Sequence, residues 1–104
     1  MNNNELTKKQ EKNSFNIISK KLFLRLNSHE KPIICLCVLN DGRLVSGSVD
    51  NNIIIYNKIT FKPELTISEH KDCIESITIL NKNILASCSR DKTIILLNMK
   101  SCKP

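Results

Sequence analysis

Tryptophan is absent from this 104-residue chain, and aromatic residues make up only 4 % of it. Isoleucine, leucine and valine therefore have to fill any core. With two glycines and three prolines the chain is not a flexible linker. No apolar run approaches the roughly 18 residues that a membrane-crossing helix needs, and no secretory leader is visible. The five cysteines include no C-x-x-C pair and no second pair at zinc spacing, so no metal site is expected. Their odd number, with no N-x-S/T sequon, fits reduced thiols and a cytoplasmic or nuclear location. There is no G-x-S-x-G turn and no glycine-rich phosphate loop. No cofactor and no specific nucleic-acid partner is expected.

The net charge of +6 is unevenly distributed. Residues 1–28 hold six Lys/Arg against two Glu, a net +4, whereas residues 29–104 hold ten against eight. A basic arm can contact RNA, DNA or anionic lipid, which makes nucleic-acid or anionic-membrane binding the alternative function. The lysines lack interleaved aromatics or a helical stripe, so solubility is the simpler role. Residues 1–13, MNNNELTKKQEKN, read as a disordered arm.

What the chain does have is a repeat. His29, Ser46, Ser48 and Asp50 recur as His70, Ser87, Ser89 and Asp91, always at an offset of 41, so that SGSVDNNIIIYN returns as SCSRDKTIILLN. A fixed period near 40 residues marks stacked repeat units, each unable to bury its own apolar faces. The register extends backward, placing Phe15 on Tyr56, Leu24 on Leu65 and Leu26 on Ile67. The units span about 29–68 and 70–99 inside a repeat region of 14–100, followed by a tail at 101–104.

Short segments rich in β-branched and aliphatic residues, bounded by turn residues, predict strands at 22–27, 33–39, 43–48, 53–57, 64–68, 74–80, 84–89 and 94–98. Asn40-Asp41-Gly42 and Asn81-Lys82-Asn83 are hairpin turns, and Asp50-Asn51-Asn52 and Asp91-Lys92-Thr93 are tight turns. LFLRL and ELTIS alternate like half-exposed outer strands, whereas IIIY and IILL are apolar throughout, like strands buried on both faces. The fold class expected is all-β and mostly antiparallel.

LVSGSVDNNIIIYN and LASCSRDKTIILLN, each with a His 21 residues before its turn Asp, resemble the tryptophan–aspartate (WD) repeats of β-propellers. The resemblance covers about residues 15–99. It implies two four-stranded blades of an incomplete propeller, and a hydrogen-bonded network in each: His29, Ser46, Asp50 and Tyr56 in the first, His70, Ser87, Asp91 and Leu97 in the second. Tyr56 and Leu97 stand where the family has Trp. Leu97 can donate nothing, which predicts a looser second network.

The resemblance also implies a scaffold whose loops dock proteins or peptides. Candidate contact residues are Glu30, Lys31 and Asn51 in the first unit, and Lys71, Asp72, Arg90 and Lys92 in the second. Ser, His and Asp recur twice at one spacing, which suits a structural device better than one active site, so no enzyme is expected. The cysteines read as small apolar core residues. Two blades cannot close a ring. The chain is therefore either a piece of a longer propeller or a unit that assembles, three copies giving six blades and four giving eight, with strand 22–27 of one copy completing the 74–98 unit of the next.

Overall fold

The computed structural model describes residues 22–100. Among them it contains seven strands and no helix. The first sheet runs in the order β1 (Ile33–Val38), β2 (Leu44–Ser48), β3 (Ile53–Tyr56), β4 (Pro63–Ile67). The second runs in the order β5 (Ile74–Asn81), β6 (Ile84–Ser89), β7 (Ile94–Asn98). All neighbouring strands are antiparallel. The repeat is visible as geometry. Leu36 faces Ser46 as Ile77 faces Ser87, Val45 faces Ile55 as Ala86 faces Leu96, and the ladder slips at the same place, between Ile33 and Cys35 and between Ile74 and Ser76.

Turn chemistry accounts for the strand order. Gly42 adopts φ 97°, a conformation that a Cβ disfavours, and its N–H donates to the Leu39 carbonyl at 2.9 Å. Asn51 and Lys92 each adopt φ 74° in their equivalent turns. Asparagine tolerates that left-handed region; lysine does so at a cost. In the longer β3–β4 connection the Asn57 Oδ1 accepts from the N–H groups of Ile59 and Thr60, both at 2.8 Å.

The sheets stack through their first strands, with β1 and β2 against β5. Strand alternation sends Cys35, Cys37, Val45, Ile53, Ile55, Leu65 and Ile67 to one face of the first sheet. That face meets Ile74, Ile77, Ile79, Leu85 and Leu97 of the second, closed off by Leu39 and Met99. Gly47 lets the layers approach. A Cβ there would lie 2.6 Å from Cγ2 of Ile74 and 2.8 Å from Sγ of Cys35. The cysteines of this region do pack as small apolar groups: Cys73 is buried, and Cys35 and Cys37 are half-buried against the core.

Two expectations need correction. The second sheet has three strands rather than four, and residues 22–27 form no ladder. Their Leu22, Phe23 and Leu24 are exposed. Instead this segment is held at its ends, by the Phe23 ring edge-on to Phe61 with centroids 6.2 Å apart and by His29 on Ser46. Second, IIIY is buried on both faces as expected, but IILL is not. In β7, Ile94 is 72 % and Leu96 59 % exposed, because a sheet lies against only one side of that strand. The outer flank of the first sheet is similarly open at Ile34, Leu36 and Val38. The arm at 1–13 and the tail at 101–104 lie outside the described residues.

Candidate functional site

The repeated polar residues converge at one edge of each sheet. In the first, the Asp50 carboxylate can only accept, so His29 donates to it from Nδ1 at 2.9 Å. In neutral imidazole that leaves Nε2 as an acceptor, and Ser46 Oγ donates to it at 2.7 Å. The Tyr56 hydroxyl completes the chain by donating to Ser46 Oγ at 3.0 Å. Tyr56, Ser46, His29 and Asp50 thus form one directional relay. Asp50 also accepts from the N–H groups of Glu30 and Asn52, each at 3.0 Å. Burial alone would raise its pKa; the hydrogen bonds from Glu30, His29 and Asn52 outweigh that and lower it below the usual carboxylate range.

The second site repeats the pattern with one member exchanged. His70 Nδ1 lies 2.9 Å from Asp91 and Nε2 lies 2.9 Å from Ser87 Oγ. Asp91 accepts from the Lys71 and Thr93 N–H groups, both at 2.9 Å, and from the Thr93 hydroxyl. The Thr93 hydroxyl bond first, and the Lys71 N–H next, hold the Asp91 carboxyl far below its ordinary range. Leu97 contributes no polar group, so Ser87 Oγ has one side-chain partner where Ser46 has two. The second network is shorter at the strand end, whereas Thr93 adds bonds at its turn end. The spacing had not singled out Thr93. Ser48 and Ser89, conspicuous as repeats, hold the loops by donating to Pro32 and Asp72 carbonyls at 2.9 Å each and by accepting from Asp50 and Asp91 N–H at 3.0 Å.

Ser–His–Asp order alone would suit a hydrolase. However, Ser46 is 1 % and Ser87 2 % exposed, so each hydroxyl is sealed beneath its own imidazole. Burial, with a contribution from Cys37, raises the Cys35 thiol pKa, and burial raises that of Cys37; both remain protonated and poorly nucleophilic at neutral pH. Among the described residues, no group of three or more His, Cys, Asp or Glu side chains is placed to hold a metal ion. No described helix is long and apolar enough to cross a membrane.

What the networks do is fix loops. Each Asp grips the loop after its His by a backbone N–H, leaving side chains free. Glu30, Lys31, Lys71, Asp72, Arg90 and Lys92 are exposed, and Asn51 is half-buried in its turn. Arg90 is committed to an ion pair with Glu75. Asp72 caps locally, accepting from Cys73 N–H. Arg43 went unnoticed in the sequence because it has no counterpart at the 41-residue offset. It is 8 % exposed and bridges Asp41 at 3.1 Å and Glu64 at 3.3 Å on the opposite edge.

The sequence pattern of the family described as WD domain, G-beta repeat matches residues 20–57 and 61–98. The chain belongs to the WD-repeat family. An uncharacterized WD repeat-containing protein of Schizosaccharomyces pombe is 44 % identical over 39 residues, which is 36 % of this chain and 7 % of that protein. The WD40 β-propeller domain of Doa1 superposes with a TM-score of 0.65 at 22 % identity, covering 75 % of this chain and 27 % of that one. A chain of the mitotic checkpoint complex gives a TM-score of 0.65 at 26 % identity over 73 % of this chain and 25 % of its own length. The chain thus spans about a quarter of these solved WD-repeat structures. Each of its two sheets corresponds to one WD-repeat blade, the second with three strands among the described residues.

Proposed function

We propose that the chain is a non-catalytic protein-interaction module, a scaffold or adaptor acting in the cytoplasm or nucleus. It presents the His-loop edge of its blades to other proteins or peptides and works as an assembly of three or four copies. The observation that carries this reading is the division of labour at that edge. Asp50 and Asp91 hold loop backbone through the N–H groups of Glu30 and Lys71, while the side chains of Glu30, Lys31, Lys71, Asp72 and Lys92 stand in solvent. A rigid frame carrying exposed, varied side chains is the usual form of a recognition surface. The sealed Ser46 and Ser87 hydroxyls weigh against catalysis. Membership of an assembly, as with the checkpoint-complex neighbour, is in keeping with this role.

The test is affinity capture followed by chemical cross-linking, comparing the chain with a variant carrying Glu30→Ala, Lys71→Ala and Lys92→Ala. Partners bound through this edge are lost from the variant while its far-UV circular dichroism is unchanged. Retention of the same partners by the variant would refute the assignment of the surface.

A further inference from the structure

We propose that the cleft between the β1–β2 and β5–β6 turns, at the edge opposite the His loops, is a second binding site whose ligand is an acidic peptide segment carrying an apolar side chain. It shares no residue with the His-loop edge and goes beyond the reading above.

The two turns stand side by side because β1 and β2 pack on β5. Between them lies a cavity of about 370 Å³, to which the first unit contributes Asp41 and Arg43 and the second Ile79, Lys82 and Lys100. Ligand clefts commonly hold about 300–1,000 Å³. Both turns are fixed by the chain itself. Lys58 Nζ donates to the Asp41 carbonyl at 3.1 Å, Asn83 N–H donates to Asn81 Oδ1 at 2.9 Å, and Met99 N–H donates to the Asn83 carbonyl at 2.7 Å. A cleft held in this way has little left to order when a ligand enters, which favours binding.

The polar groups left unused decide the ligand. Arg43 is committed to Asp41 and Glu64, and with Lys58 beside them these four charges balance. Lys82 and Lys100 have no counter-ion among the described residues. The charge is peculiar to the second unit: Lys82 stands where the first unit has Asp41, and Lys100 where it has Ile59. The side-chain amides of Asn40 and Asn83, which also line the cleft, form no hydrogen bond among the described residues. Ammonium groups suit carboxylates, and asparagine amides can pair with both the N–H and the C=O of a peptide. Half-buried Ile79 gives an apolar side chain a contact. A nucleic-acid strand is matched less well. No aromatic residue lines the cleft for a base to stack on, and the Asp41 carboxylate, 51 % exposed, repels phosphate.

The probe is a capped, fluorescent peptide of acidic residues around one central leucine, titrated with the full chain and followed by anisotropy. Lys82→Glu combined with Lys100→Glu should weaken binding about tenfold or more, as two reversed exposed ion contacts require. Lys62→Glu combined with Arg25→Glu is an equal change of charge outside the cleft and should shift affinity by no more than about twofold. All four side chains are exposed, and circular dichroism confirms that both variants are folded. Exchanging the central leucine of the peptide for serine should weaken binding several-fold. A peptide that fails to bind, or one that ignores the Lys82 and Lys100 substitutions, would overturn the site, as would an equal loss in the control variant. A serine peptide that binds as well as the leucine one would overturn the assignment of the ligand. So would a single-stranded oligonucleotide of equal charge that binds as tightly through the same lysines. None of these substitutions touches the His-loop edge, so that reading stands or falls on its own experiment.

Discussion

Replacing Ser46 by alanine tests the relay most directly. Ser46 Oγ is the link between Tyr56 and His29, at 3.0 and 2.7 Å. Its removal strands both, and both are buried: Tyr56 is 2 % exposed and the His29 side chain 1 %. A buried polar group left unsatisfied costs about 1–3 kcal/mol, so two place Ser46→Ala at about 2–6 kcal/mol. That is a large share of the stability of a small domain, about 5–15 kcal/mol. Tyr56→Phe in the wild type removes one bond but leaves Ser46 on His29, at about 0.5–1.5 kcal/mol. In the Ser46→Ala background the tyrosine hydroxyl is already stranded, so Tyr56→Phe should cost nothing more or recover part of the loss. The second substitution therefore changes sign with background. Urea unfolding followed by circular dichroism measures all four chains, at one fixed concentration because association shifts apparent stability. Tyr56 is the single tyrosine and there is no tryptophan, so its fluorescence also isolates the first sheet in the tyrosine-bearing chains. Additive costs, or a Ser46→Ala loss below about 0.5 kcal/mol, would show that the relay is not a stabilising unit.

Ser87→Ala strands only His70 and should cost about 1–3 kcal/mol, less than Ser46→Ala in the same urea titration. Gly47→Ala drives a methyl group into Ile74 and Cys35 and should destabilise by about 1–3 kcal/mol through overpacking, seen as a lower melting temperature. Lys92→Asn replaces a lysine in the left-handed region with a residue that tolerates it, a gain of up to about 1 kcal/mol in thermal unfolding. The Asp50 and Asp91 pKa values are lowered in the fold. Their contribution is thus complete above the unfolded value of about 4 and is lost as pH falls through the folded values. Acid unfolding should begin below about pH 4, and Asp91→Asn should blunt it.

Most of the ladder could be read in advance because turn residues and aliphatic runs are local signals. Strands 53–57 and 94–98 have nearly identical composition, however, and were expected to share one environment. Whether Ile94 is buried depends on a neighbouring sheet, which composition does not encode. The same reason explains residues 22–27: alternation in LFLRL was legible, but whether an edge lies alongside is not encoded in it, and the described segment joins no ladder. Of the site, the His, Ser and Asp positions were legible through their recurrence. Thr93 stayed hidden because its counterpart is Asn52, which engages Asp50 through the backbone alone, and Arg43 because Ile84 occupies its place. Recurrence exposes what the two units share and conceals what each does differently.

The carboxylates of Asp50 and Asp91 clasp main-chain amides, which every residue but proline possesses. The identities at positions 30 and 71 are thus interchangeable as far as the frame is concerned. New specificities could be written into them by substitution, with the underlying architecture indifferent to the text.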